Sequence, residues 1–161
     1  MKKPALPISV ISVFLCGFVL HISYEASGHS AWSMLISTVR QSPWEIVKPF
    51  GLVFIMWSFI ELSWFRPHLL RFVCARIMAL IVFVTGSCTA LCTFYYTGGW
   101  KRLGLIFLCL TLSELLQYVI YRSGKRTEIF FIPLIISFGT IFFAFLFCTF
   151  FPPDMPFFRA F

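Results

Sequence analysis

Long apolar runs, broken by short polar clusters, set the rhythm of this chain. The first run spans Ala5 to Leu20 without a charge. Four more follow, each bounded by charges, glycines or prolines. Their limits are about 5–24, 43–65, 72–96, 103–121 and 128–151. Each is about 19 to 25 residues long, enough for a helix to cross a hydrocarbon layer of roughly 30 Å. Their length and apolarity are the signal.

Start and stop residues sharpen the limits. Ser42-Pro43-Trp44-Glu45 reads as an N-cap serine, a proline at the first helical position and a glutamate at the third, the capping-box pattern. Thr127 is a second N-cap candidate. Gly28 suits the left-handed position after the first helix. Arg66-Pro67, Gly98-Gly99, Ser123-Gly124 and Pro152-Pro153 end the next four segments. Between Ser30 and Gln41, Trp32, Leu35 and Val39 fall at helical spacing among serines and Arg40. That pattern predicts an interfacial helix between the first and second spans. The chain reads as one transmembrane domain over residues 1–161.

Composition agrees with this pattern. Of the 161 residues, 60% are hydrophobic and 12% charged, and 22 are phenylalanine. A soluble domain carries about a quarter charged residues. The formal net charge is +7, but the basic residues are scattered in short clusters between apolar runs, which argues against a nucleic-acid surface. They read as topology signals instead. With the N-terminus inside, Lys2, Lys3, Arg66, Arg71, Arg122, Lys125 and Arg126 lie inside, and Arg40, Lys101, Arg102 and Arg159 lie outside. The expected fold is an all-α integral membrane bundle of five transmembrane helices, N-in and C-out, in a bacterial cytoplasmic membrane. Lys2-Lys3, the apolar run and Ala26-Ser27-Gly28 also fit a cleaved signal peptide, which would leave four spans; the run is long for that role.

Ionisable groups inside such segments are expensive and usually face the bundle interior. They fall into two groupings. The outer one comprises His21, Tyr24, Glu25, Trp44, Glu45, Lys48, Tyr95 and Tyr96, at the end of span one, the start of span two and the end of span three. Glu25 stands at a helix C-terminus, where the macrodipole disfavours a carboxylate by up to about 1 kcal/mol. His21, one turn earlier, and Lys48 are its candidate compensating partners. The inner grouping is Glu61, Arg76 and Glu114, at depths compatible with one buried ion-pair cluster, which Gln117 and Tyr118 could extend.

Other chemistry is thinly supported. His21 and Glu25 have the spacing of two ligands on one helix face, but a zinc site wants a third, and only His29 is placed to join. No metal is expected. Ser27 and Ser42 fall near His21 without a nucleophile motif. No phosphate-binding glycine loop or cofactor motif occurs. The six cysteines lie in apolar segments and read as packing residues.

Taken in order, LHISYEASG, SPWEIVKPF, FIEL, FYYTGG and FCTFFPPDMPFF resemble a family of uncharacterised bacterial multi-spanning membrane proteins of unknown function. The likeness covers nearly the whole chain. The family-like positions are His21, Tyr24, Glu25, Ser27, Ser42, Trp44, Glu45, Lys48, Glu61, Tyr96, Thr97, Gly98, Pro152 and Pro153. Three positions depart: Arg40-Gln41 replaces an Asn-Glu, and Ile46 replaces a histidine. The resemblance implies the five-span fold and the outer grouping, and it supplies no substrate. The leading expectation is a protein that binds or moves a small solute through an outward-facing polar pocket, working in the lipid bilayer, as a homo-oligomer or with a membrane protein partner. The alternatives are a membrane-embedded enzyme acting on a lipid-like substrate and a non-catalytic accessory subunit.

Overall fold

A computed structural model describes residues 6–28, 36–38, 42–65, 68–94, 99–123, 131–151 and 154. All of the regular structure among them is helical. The helices are α1 (Leu6–Ala26), α2 (Pro43–Phe65), α3 (Leu69–Thr93), α4 (Gly99–Ser123) and α5 (Phe131–Phe150). Three are long and apolar enough to cross a membrane, over Pro43–Trp64, Leu69–Thr93 and Gly99–Ser123; the apolar stretches of α1 and α5 are shorter.

The predicted boundaries need adjustment at two places. The third helix starts at Leu69 and ends at Thr93, so it sits nearer the N-terminus than 72–96. Phe94 leaves helical geometry but still donates its N–H to Ala90 O. The fourth helix starts at Gly99, not Leu103, and takes in Trp100, Lys101 and Arg102. Long basic side chains can reach water from a helix end, so a Lys-Arg pair does not by itself stop a helix. At α1 the stop is as expected: Ser27 donates to Ser23 O at 2.9 Å, and Gly28 takes φ 65°. The segment carrying Trp32, Leu35 and Val39, and the Thr127 cap, lie outside the described residues.

Helix packing forms a ring: α1 lies on α2, α2 on α3, α3 on α4, and α4 back on α1. The fifth helix leans on α3 and touches α2 through Phe145 and Trp44, whose rings are 5.0 Å apart. Close approach depends on two glycines. A β-carbon at Gly17 would overlap the Phe50 ring, and one at Gly51 would come within 2.6 Å of Phe145 Cζ. Stacked Phe54 and Phe83 fill the centre, with Phe14 against Phe50 and Phe107 at its edge.

Sidedness is reversed relative to a water-soluble bundle. Ile8, Ile11, Leu15, Val19 and Ile22 form an exposed apolar stripe on α1, at helical spacing. Leu108, Leu112, Leu115 and Val119 do the same on α4. Buried positions, in contrast, include Ser9, Glu45, Lys48, Glu61, Arg76, Glu114, Gln117 and Thr149. The exposed threonines 85, 89, 93, 111 and 140 each donate to the carbonyl one turn back in their own helix, at 2.7–2.9 Å. An outer face without water must satisfy its polar groups in this way.

Candidate functional site

Pro49 organises the first polar network. It lies inside α2 and has no N–H, so it cannot bond the Glu45 carbonyl one turn earlier. That freed carbonyl accepts instead from Thr38 Oγ1 at 3.1 Å. A threonine hydroxyl has one proton, and Thr38 spends it on Glu45 O. His21 Nδ1, 2.7 Å from the same Thr38 oxygen, must therefore be the donor in that bond. The backbone of α2 thus fixes the ring orientation and tautomer of a histidine on α1. Ser37 Oγ donates to His21 O at 3.0 Å, so residues 37 and 38 clasp the end of α1 against the start of α2.

The start of α2 carries the charges of this network. Ser42 Oγ accepts from Glu45 N at 3.3 Å, the expected N-cap bond. Lys48 has no solvent exposure. Its ammonium lies 3.0 Å from Glu45 Oε2 and 3.0 Å from Thr149 Oγ1 on α5. A buried charge needs both an opposite charge and hydrogen bonds, and Lys48 has each. The structure thus brings His21, Trp44, Glu45 and Lys48 to one end of the bundle. Tyr96 and the side chains of Tyr24 and Glu25 lie outside the described residues, as do Tyr95 and His29.

The second network lies at the opposite end. From Lys48 to Glu61 along α2 is about 20 Å at 1.5 Å per residue. Arg76 is its hub. Nη1 donates to Glu114 Oε1 at 2.7 Å and to Gln117 Oε1, both on α4. Nε donates to Ser58 Oγ at 2.8 Å and Nη2 to Phe54 O at 3.1 Å, both on α2. The guanidinium carbon lies 3.7 Å above the Phe54 ring. Glu61 Oε2 is 3.5 Å from Nη1, and its other oxygen accepts from Trp57 Nε1 at 3.1 Å. Ser9 on α1 completes the shell by donating to Glu114 Oε1 at 2.9 Å. All four helices of the ring meet at this one cluster.

The sequence names the charged members of both networks but misses Ser9, Ser37, Thr38, Ser58 and Thr149. One signal was available: a proline one turn after Glu45 announces an unpaired carbonyl in need of a donor. Nothing comparable marks the others, since serine and threonine usually satisfy themselves on their own helix. Among the described residues, no group of three or more His, Cys, Asp or Glu side chains is arranged to hold a metal ion.

Long apolar helices, apolar outer faces and ionic groups turned inward define a helical protein of membrane type. Across residues 2–160 the chain matches the model of a family of unknown function, DUF6512, and it belongs to that family. No curated protein and no solved structure matches it.

Proposed function

We propose that this is a multi-pass protein of the bacterial cytoplasmic membrane, with five membrane helices, N-in and C-out. In this reading its outward grouping of His21, Tyr24, Glu25, Trp44, Glu45, Lys48 and Tyr96 binds a small polar solute. The carrying observation is a partly exposed His21, fixed as a donor through Nδ1, at the same end of the bundle as the buried contacts of Lys48 with Glu45 and Thr149. Such an arrangement offers a ring of preset orientation beside a fixed ionic pair. The positive-inside bias supports the orientation.

The test is ligand-dependent thermal stabilisation of the full chain in detergent, against a panel of small amines, amino acids and carboxylic acids. A stabilising compound should lose its effect in His21→Ala and Glu25→Gln while both variants stay folded. An undiminished shift in both variants, or no shift with any compound, overturns the reading.

A second reading concerns partners. Phe143 and Phe147 on α5, with Phe151 just past its end, form an exposed ladder with ring centroids 5.5 and 5.2 Å apart. That ladder favours lateral packing on a second copy or another membrane protein, which is what an accessory subunit needs.

A further inference from the structure

The inner network carries unequal charge. Glu61 and Glu114 face a single cation, Arg76, and all three are buried. Fully ionised, the cluster would hold one uncompensated negative charge inside the bundle. Among the described residues, Arg76 is the one cation at ion-pair distance from either carboxylate. On α1 the contact is Ser9; on α2 it is Trp57, Ser58 and the Phe54 carbonyl; on α4 Gln117 joins Glu114. The fifth helix presents Leu134 and Phe138 at this end. The next cation on α3, Arg71, lies more than a turn nearer the helix start.

Hydrogen-bond accounting locates the excess. The two Nη1 protons of Arg76 go to Glu114 Oε1 and Gln117 Oε1. None is left for Glu61 Oε2, which is buried and lacks a hydrogen-bond partner among the described residues. Two carboxylates beside one guanidinium nitrogen, with one oxygen lacking a donor, match a site that holds one proton between two acids. A metal ion suits the site less well. It would need several of the oxygens already committed to Arg76 and would sit against the guanidinium. A proton needs no coordination shell.

We propose that the Glu61–Arg76–Glu114 cluster is a one-proton binding site, shared by the two carboxyl groups. On uptake, hydronium at the nearer face gives up a proton and becomes water, and an O–H bond forms on a carboxyl oxygen of the pair. Release reverses both changes. Glu61 is about one turn, or roughly 6 Å, from the end of α2, so the exchange path is short. The site is at the other end of the bundle from the solute grouping and does not depend on it. The proton belongs to the coupled pair, and removing either acid should leave a balanced one-to-one ion pair without it.

The experiment is infrared difference spectroscopy of the full-length protein in lipid nanodiscs, following the carbonyl stretch of protonated carboxylic acid in H2O and D2O. At neutral pH the wild type should show one such band, shifted by deuterium and lost in alkaline buffer. Glu61→Gln, which preserves the acceptor for Trp57, should abolish it. Glu114→Gln should abolish it as well, because Glu61 then pairs alone with Arg76, and it serves as the second variant if the first does not fold. A wild type without the band, or a band that persists in either folded variant, overturns the proposal.

Discussion

Lys48 Nζ lies 3.0 Å from Thr149 Oγ1, which joins the first turns of α2 to the last turn of α5. Thr149 donates its own proton to Phe145 O at 2.8 Å, so it can only accept from the ammonium. The lysine is therefore tied to a carboxylate on its own helix and a hydroxyl on another. Replacing it removes the counter-charge of the buried Glu45. Lys48→Met should destabilise by about 3–5 kcal/mol, and pairing it with Glu45→Gln should recover part of that loss. Thr149→Val should cost less, about 1 kcal/mol. Thermal melting in detergent checks all three.

The Thr38 bond to the Glu45 carbonyl exists because Pro49 leaves that carbonyl without a helical donor. Thr38→Val should cost about 1–3 kcal/mol by orphaning both the carbonyl and His21 Nδ1. In a Pro49→Ala background the helix supplies an N–H to the carbonyl, so the same substitution should cost less. A double-mutant cycle in denaturant measures the difference, and additive effects would count against the linkage.

Gly51 and Gly86 should respond in opposite directions. Gly51→Ala drives a methyl group into the Phe145 ring and should cost about 1–3 kcal/mol. Nothing lies within 4 Å of a β-carbon at Gly86. Gly86→Ala should be neutral or stabilising by up to about 1 kcal/mol, as helix propensity dictates. Paired melting curves decide this.

The proposed N-in, C-out orientation predicts that an impermeant thiol reagent applied to intact cells labels a cysteine placed at Ser30 and spares one placed at Ser123. The background is a chain with its native cysteines replaced. The reverse pattern would invert the topology.

Much of the fold was legible in the sequence because a helix in an apolar environment must pair its own backbone groups. Run length, the Ser42 cap and the Gly28 stop together located helices without any knowledge of packing. The α3 and α4 limits were less legible. Gly98-Gly99 reads as a break, yet Gly99 opens α4, and the Lys101-Arg102 pair belongs to its first turn. Glu61, Arg76 and Glu114 could be grouped by depth alone, since depth follows from counting residues along each helix.

Rotation about each helix axis was not legible. Exposed Leu112 and buried Leu110 are the same residue type, so the pattern does not say which side of α4 faces in. The sequence by itself determined where the five long helices of the described residues lie and the presence of ionic groups that must be buried. The tertiary structure alone decided that Arg76 meets Glu114 and Gln117, that Lys48 meets Thr149, and that Thr38 supplies the donor Pro49 withholds. Those choices depend on how apolar surfaces interlock between helices, and contacts between residues distant in sequence leave no periodic trace along the chain.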